Sequence, residues 1–220
     1  MTIGVDSRLL EGVPPDQVRE LLQIARRRRF ARNEVVFHRD DPGDSLHLIQ
    51  RGRFAIRVMT PLGDTATIAV RGPGESFGEM ALVSEGQRRA ATVAALEESE
   101  TIAVYRDDFA YIRKRHPAID VMLFRFLTDE VRMLNERLLE ALYLPVEKRV
   151  RRRLVELSQL YGDGDAAVIV LTQEALAELA GASRPTVNGV LRDEERRGTI
   201  ELSRGRIRVL DVSELERRSR

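Results

Sequence analysis

Cysteine is absent from this 220-residue chain, which excludes disulfides, thiolate nucleophiles, zinc fingers and cysteine-bound iron–sulfur clusters. Histidine occurs only three times, at His38, His47 and His116. No two of these are four residues apart, the spacing at which two histidines on one helix bind a metal. We therefore predict that each is a surface or loop residue and that the chain holds no metal. Metal and haem chemistry have no support in this composition.

Long apolar runs are missing as well. No stretch reaches the length of a signal peptide's hydrophobic region or of a membrane-spanning helix, so we expect a cytoplasmic protein with no membrane contact. An excess of either charge is also missing, because 36 basic and 35 acidic side chains leave a formal net charge of +1. Any nucleic-acid surface must then be a local patch. A length of 220 residues suits two domains, and a hydrophobic fraction of 43% suits packed cores.

Glycine and proline cluster in one stretch, which reads RGPGESFGEMAL from Arg71 and is followed by RRAAT from Arg88. Gly78 allows the backbone to approach another group closely, and the residues after it can begin a short helix whose N-terminal amides favour an anion. Arg89 offers a planar fork of donors suited to a phosphate, and Glu79 can accept a hydrogen bond from a sugar hydroxyl. A β-turn with a surface salt bridge fits the spacing equally well, so both interpretations stay open on these residues alone.

Short alternating segments dominate the chain from Phe30 to Val104, and turn residues at 40–44, 52, 61–64 and 72–74 separate them. The alternating apolar residues are Val35/Phe37, Leu46/Leu48, Phe54/Ile56/Val58, Ala66/Ile68/Val70, Val93 and Ile102/Val104. Many short strands at this spacing predict an antiparallel barrel or jelly roll, whose interior can hold one small ligand. Ahead of the strands, Pro14-Pro15-Asp16 predicts the start of a helix. We interpret the arginine run at 26–29 as the solvated C-terminal turn of that helix.

A long helix is predicted after the strands. Asp107 and Asp108 resemble a helix cap, Pro117 marks a new start, and the helical pattern then runs from 118 to 142. Its apolar residues are spaced 4, 3, 4, 3, as in a heptad repeat: Leu127, Val131, Leu134, Leu138 and Ala141. This seam can pack on its own barrel or on the same helix of a second chain, and we predict both, with a homodimer as the result. Pro145 then predicts a hinge and a domain boundary.

The C-terminal third predicts a helix-turn-helix followed by a β-hairpin. A basic helix over 146–160 and a loop at 161–165 come first. Thr172 is a good N-cap for the next helix, Gly181 permits the tight turn, and Pro185 sits at the start of a second helix, where its missing N–H costs least. The hairpin strands are expected at 200–202 and 207–210.

The outward face of the second helix fits a major groove, because arginine can read guanine and asparagine can read adenine. Hydroxyl side chains at the helix start and the basic tip of the hairpin suit phosphates. The residues predicted to contact DNA are Thr172, Ser183, Arg184, Thr186, Asn188, Arg192, Arg204 and Arg206. A helical hairpin packed inside a larger core is the weaker alternative, because the second helix carries many outward polar residues.

With barrel, long helix and winged helix-turn-helix in this order, the chain resembles the CRP/FNR family of bacterial transcription regulators. The resemblance runs from about Phe30 to Arg208. It rests on the stretches PGDSLHLIQRGRFAI, GPGESFGEMALVSEGQRRAATV and LTQEALAELAGASRPTVNGVLRDEERRGTI. It implies an α+β fold with a cyclic-nucleotide-binding β jelly roll, a long dimerisation helix and a C-terminal winged helix-turn-helix. The implied domains are a sensor at 1–116, a dimerisation helix and hinge at 117–144, and a DNA-binding domain at 145–220.

The resemblance also implies a nucleotide site, with a glutamate on the ribose 2′-hydroxyl and an arginine on the cyclic phosphate. Its matching residues here are Gly78, Glu79, Met80, Arg89, Ala90, Ala91, Leu134 and Asn135. Three departures stand out. Ala90 replaces the phosphate-binding serine, Leu134 replaces a threonine that contacts the adenine, and the Arg-Glu…Arg reading triplet becomes Arg184, Pro185 and Gly189.

The expected function is a homodimeric, non-enzymatic regulator whose affinity for a palindromic double-stranded DNA site changes when cyclic AMP binds the barrel. The implied partners are DNA, a second copy of the chain and RNA polymerase, with no cofactor besides the effector. A second hypothesis keeps DNA binding but makes the nucleotide pocket vestigial. A third makes the chain a nucleotide-gated partner or enzyme subunit; the sequence contains no nucleophile–base pair and no triphosphate-type glycine loop to support catalysis.

Overall fold

The computed structural model describes residues 7–60, 63–83, 86–162 and 166–220. The chain forms two compact units. One contains the chain up to Thr65 together with Ala69–Arg132, and the other contains Ala66–Ile68 and Met133–Arg220. The predicted turn at 61–64 and the predicted loop at 161–165 fall partly outside the described residues. The three-part division into 1–116, 117–144 and 145–220 stays a prediction.

The first unit is built around two four-stranded sheets. A 3₁₀ turn, Arg8–Leu10, and helix α1, Pro15–Ile24, precede them. The strands are β1 Arg26–Phe30, β2 Val35–Phe37, β3 Ser45–Arg51, β4 Phe54–Met59, β5 Thr65–Arg71, β6 Ser76–Phe77, β7 Thr92–Ala95 and β8 Ser99–Tyr105. Their order is β1-β8-β3-β6 in one sheet and β2-β7-β4-β5 in the other. Buried side chains from both sheets, among them Phe54 and Phe77, form one cluster, so the predicted jelly roll is confirmed.

The arginine run belongs to strand β1, so its assignment to a helical turn was wrong. Helix α1 ends at Ile24, and Arg26–Phe30 pair antiparallel with β8 at the edge of the sheet. Alternate side chains point to one side, where Arg27 and Arg29 reach the carboxylate of Glu100 at 2.7 and 3.1 Å. The tertiary pairing with β8 overrides the helix-end signal, and the charges protect an exposed edge against pairing with other chains.

This part of the chain also contains three helices: α2 Met80–Val83, α3 Arg106–Arg115 and α4 Ala118–Tyr143. The residues of α4 from Met133 onwards belong to the second unit. Helix α3 is capped by Tyr105, not by an aspartate as predicted. Asp107 and Asp108 lie in its first turn instead, where negative charge stabilises the positive end of the helix dipole. Pro117 immediately precedes α4, as expected.

Helix α4 uses its two ends differently. Near its start, Ile119, Met122 and Leu123 are buried in the core of the first unit. Further along, the heptad seam is exposed in the single chain, with 56% of Val131 and 56% of Leu138 accessible. The helix was predicted to pack both on its own barrel and on a second chain. In the single chain, only its first turns are buried, in the core of the first unit.

The second unit contains the rest of the chain. Its further elements are α5 Val146–Tyr161, β9 Val168–Ile169, α6 Gln173–Ala180, α7 Arg184–Arg196, β10 Ile200–Ser203, β11 Arg206–Val209 and α8 Val212–Ser219. The predicted hairpin is present, and β9 adds a third strand in the order β10-β11-β9. Strand β9 and helix α8 were not predicted. Leu154, Leu176 and Leu191 are fully buried in this unit.

A buried ion cluster ties helices α5, α7 and α8 together. Glu194 is fully buried and accepts hydrogen bonds from Arg151 Nε at 2.7 Å, Arg218 Nη1 at 2.7 Å and Thr199 Oγ1 at 2.8 Å. A buried carboxylate is tolerated only when it is paired in this way. Two of the three donors are arginines, Arg151 on α5 and Arg218 on α8.

Candidate functional site

The glycine-rich stretch after β6 brings the backbone against a buried arginine. Gly78 has a φ of +85°, in the left-handed region that favours glycine. A Cβ at this position would lie 2.8 Å from Nη1 of Arg89 and 2.8 Å from the carbonyl oxygen of Ser45. The short helix α2 begins directly after Glu79, and Leu82 N donates to the Glu79 carbonyl at 3.0 Å. The predicted close approach of the backbone at Gly78 is therefore present.

Arg89 is buried, with only 5% of its surface accessible. The residues around its guanidinium are Phe37, Asp44, Ser45 and Gly78, and they are called here the Arg89 nest. Nη1 donates to the Ser45 carbonyl at 2.6 Å. Nη2 donates to Asp44 Oδ1 and to Ser45 Oγ, each at 2.9 Å. The guanidinium carbon lies 3.9 Å from the centroid of the Phe37 ring, a cation–π distance. Among the described residues, Arg89 Nε is buried and has no acceptor.

The charge of Arg89 is therefore only partly compensated. Burial lowers its pKa, and the carboxylate of Asp44 opposes that shift. The Asp44 side chain is 64% exposed, so water weakens its pairing with the buried guanidinium. Among the described residues, only Nε of the guanidinium has no acceptor, so this desolvated group could still donate to one further anion.

Glu79 lies half-buried beside this nest. Burial raises the pKa of its carboxyl above the ordinary value, the carboxylate of Glu130 raises it further, and Arg71 and Arg89 oppose the shift. Arg71 is held between two other carboxylates, with Nη1 3.1 Å from Glu75 Oε1 and Nη2 2.8 Å from Glu130 Oε1. Because Arg71 is already paired with Glu75 and Glu130, it is not available to pair with Glu79 as well. The carboxyl group of Glu79 therefore suits a ligand hydroxyl that donates a hydrogen bond better than it suits an anionic group of a ligand.

His47 contradicts the prediction of a surface or loop residue. It lies in β3, is 4% exposed, and stacks on Phe77 with 4.9 Å between ring centroids. Nδ1 is 3.0 Å from Thr101 Oγ1. Burial, with the positive charge of Arg89, lowers the pKa of His47 to about 3. His47 is therefore an uncharged residue of the aromatic core, next to the residues around Arg89.

The remaining predicted nucleotide residues are spread over both units. Ala90 and Met80 are exposed, and Ala91 is half-buried. Leu134 and Asn135 are exposed on α4 and belong to the second unit. The structure brings Gly78, Glu79 and Arg89 together, and the roles of all these residues in binding stay predictions.

The helix-turn-helix is capped as the sequence indicates. Thr172 Oγ1 accepts from Ala175 N at 3.1 Å at the start of α6, and Gly181 ends that helix in the left-handed conformation. Ser183 Oγ accepts from Thr186 N at 3.3 Å at the start of α7, and the two hydroxyls are 2.8 Å apart. The two hydroxyls predicted for phosphate contact thus also stabilise the start of α7.

One face of α7 is free for a partner. Val187, Val190 and Leu191 are buried, Arg184 and Arg192 are exposed, and Asn188 is half-buried. Arg204 and Arg206 are exposed at the tip of the β10–β11 hairpin. A groove of about 350 Å³ lies between the start of α6, the start of α7 and the hairpin, and its lining includes Thr172, Arg184, Arg204 and Arg206.

Comparison with known proteins assigns both halves. The cyclic nucleotide-binding domain model matches residues 27–116, and the Crp-like helix-turn-helix domain model matches residues 148–218. The chain is 32% identical over 216 residues to the CRP-like cAMP-activated global transcriptional regulator of Mycobacterium tuberculosis, covering 96% of each protein. It is 33% identical over 210 residues to the cyclic AMP receptor protein of Thermus thermophilus, covering 96% of the chain and 95% of that relative.

The chain belongs to the CRP/FNR family of DNA-binding transcription regulators. The crystal structure of the Thermus thermophilus catabolite activator protein is 30% identical, with a TM-score of 0.56 and coverage of 96% of this chain and 97% of that one. No helix among the described residues of this regulator is long and apolar enough to cross a membrane. Among the same residues, no group of three or more His, Asp or Glu side chains could hold a metal ion.

Sequence reasoning missed the partners that build this regulator's nest. Asp44, Ser45 and Phe37 surround Arg89, yet they lie at least 44 positions before it in the chain. The sequence carries a weak signal for one of them, because Asp44 stands in a predicted turn next to Ser45. No periodicity links either residue to Arg89, since only the register of the two sheets brings them together.

Proposed function

We propose that this CRP/FNR regulator is controlled by a cyclic nucleotide, cyclic AMP, bound at the nest of Arg89. The observation that carries the proposal is a buried guanidinium whose Nε has no acceptor in the described part of the chain and which lies against Gly78 and beside Glu79. A cyclic phosphate carries one negative charge, which meets the demand of Arg89 for an anion. The ribose 2′-hydroxyl is a donor that Glu79 can accept. Two relatives above 30% identity are named for cyclic AMP, which supports this effector.

The bound form is a homodimer on a palindromic operator. The apolar seam on α4 supports this, because Leu127, Val131, Leu134 and Leu138 are exposed in the single chain and repeat at heptad spacing. Two copies of α7 would then be held about 34 Å apart for adjacent major grooves. The effector acts by shifting the population between arrangements with correct and incorrect separation. We place the regulator in the cytoplasm, with RNA polymerase as a further partner.

Calorimetric titration with cyclic AMP tests the pocket. Wild-type protein is expected to release heat and to saturate with one ligand per chain, and Arg89→Leu is expected to show no binding. Arg88→Leu is the matched control, because Arg88 is the exposed neighbour whose Nη1 donates to the Asp40 carbonyl. An unchanged dissociation constant in Arg89→Leu would sink the assignment of the site.

A ligand-independent regulator is the second candidate. Two features favour it: Asp44 and Ser45 already occupy both terminal nitrogens of Arg89, and Ala90 lacks the serine hydroxyl found in the cyclic-AMP-binding family pattern. Electrophoretic mobility shifts with and without cyclic AMP separate the candidates. Identical DNA affinities together with no heat of binding would establish this second function and exclude the first.

A further inference from the structure

Arg149 joins the ends of two helices within the second unit. It lies in the first turns of α5, where Nη1 donates to the carbonyls of Ala141 at 3.3 Å and Leu144 at 3.1 Å, at the end of α4. Nε donates to the Ala180 carbonyl at 3.0 Å, and Nη2 donates to the Gly181 carbonyl at 2.9 Å, at the end of α6. One guanidinium therefore binds four backbone oxygens from two helix C-termini.

These are the oxygens that need such a partner. The last carbonyl oxygens of a helix accept no hydrogen bond from an N–H of the same helix, and they lie at the negative end of the helix dipole. A guanidinium offers five donors in one rigid plane. Because the plane is rigid, its four bonds fix the end of α4 and the end of α6 relative to each other. A lysine ammonium has the same charge but a single nitrogen, so it cannot span both ends.

The end of α6 bears on DNA recognition because α7, the helix expected to read DNA bases, starts shortly after it. Gly181 begins the turn, Ser183 caps α7, and Arg184 is the first residue of α7. The end of α4 makes a second set of contacts with α5, since Glu140 accepts from Arg152 Nη1 at 2.7 Å and pairs with Arg153. The last turn of α4 is thus connected to α5 through Glu140 and to the turn before α7 through Arg149.

We propose that Arg149 is a positioning residue for DNA recognition, which sets the angle between the end of α4 and the turn that leads into the reading helix. Arg149 acts through the backbone of that turn and not through contact with DNA. The same contacts pass any movement of α4 to α7. The coupling of that movement to an effector rests on the proposed function, whereas the positioning of α7 does not.

The test uses the full-length protein with Arg149→Lys and Arg149→Gln, and Lys148→Gln as control. Lys148 is the neighbouring cation on α5, and its Nζ donates to the backbone carbonyl of Arg220. The DNA probe is the sequence that wild type enriches from random oligonucleotides, compared with a random duplex at fixed salt. Fluorescence anisotropy gives both affinities with and without cyclic AMP, calorimetry gives nucleotide binding, and urea unfolding gives stability.

In both Arg149 variants, the affinity for the enriched sequence divided by the affinity for the random duplex is expected to fall about tenfold, which is a typical coupling between two sites. Random-duplex and nucleotide affinities are expected to stay within about twofold in Arg149→Lys, which keeps the charge. A purely structural role predicts lower stability in urea with an unchanged ratio, and that result would overturn the proposal. If Arg149→Gln does not fold, Arg149→Lys decides alone. If wild type does not respond to cyclic AMP, the effector proposal fails, and the ratio without nucleotide still decides the role of Arg149.

Discussion

The carbonyl oxygen of Ser45 accepts a hydrogen bond of 2.6 Å from Nη1 of Arg89, across a separation of 44 residues. A Cβ on Gly78 would intrude on both atoms of that bond at 2.8 Å. Three segments of the chain therefore meet where the nucleotide phosphate is proposed to bind. The packing leaves no room for a side chain at Gly78.

Gly78→Ala is expected to destabilise the protein and to weaken nucleotide binding. Part of the cost comes from φ of +85°, and the rest comes from displacing Arg89 and Ser45. Gly63→Ala is the matched control, because Gly63 has φ of +91° but no atom of the other described residues beyond its chain neighbours lies within 4 Å of its added Cβ. Urea unfolding should show a loss of about 1 kcal/mol for the control and about 2–3 kcal/mol for Gly78→Ala. Equal losses would mean that the nest yields without cost.

Stability should depend on pH through His47. The folded pKa of His47 is lowered to about 3 from an ordinary 6.5, so below pH 6.5 the unfolded chain takes up a proton that the folded chain refuses. Stability is therefore full above the unfolded pKa and falls as pH decreases toward 3. Between pH 7.5 and 5 the free energy of unfolding should drop by about 2 kcal/mol from this residue.

The variant His47→Gln isolates that contribution in urea unfolding at each pH. Its stability should be lower at pH 7.5 but should fall less between pH 7.5 and 5 than that of the wild type. His38→Gln, at an exposed position, should keep the wild-type slope. A slope in His47→Gln equal to that of the wild type would show that other groups cause the pH dependence.

Val131→Glu is expected to dissociate the proposed dimer. Val131 is 56% exposed in the single chain and lies in the heptad seam of α4. Two-fold symmetry places two new carboxylates in one interface, so the dimer dissociation constant should rise at least about tenfold. Met59→Glu is the control, since Met59 is 59% exposed and lies outside the seam. Sedimentation equilibrium checks this, and a dimer unaffected by Val131→Glu would place the interface elsewhere.

Arg184→Ala should weaken binding to the enriched operator by about 1–3 kcal/mol and binding to random DNA far less. Arg184 is exposed at the first position of α7, where a recognition helix contacts base edges. Arg204→Ala, at the hairpin tip, should lower both affinities by similar factors, because Arg204 is predicted to contact phosphates and not bases. Anisotropy titrations at one salt concentration measure all four values. Equal losses for Arg184→Ala on both DNAs would limit Arg184 to the phosphate backbone.

Local signals predicted much of the second unit correctly. Thr172, Gly181 and Pro185 placed the two helices of the motif, because capping and turn formation depend on residues a few positions apart. The same kind of signal failed at Arg26–Arg29, where a run of arginines after a helical pattern suggested a helix end. Pairing with β8 decides that segment, and no local residue pattern specifies its partner strand.

The sequence by itself predicted the jelly roll, the long helix and the winged helix-turn-helix, in that order, since these follow from periodicity, caps and turns within short windows. It also singled out Gly78, Glu79 and Arg89. Only the tertiary structure decided that Asp44, Ser45 and Phe37 surround Arg89, that His47 is a neutral core residue, and that Arg149 binds two helix ends. Those contacts join residues far apart in the chain, so they depend on strand register and helix packing, which no short window of sequence contains.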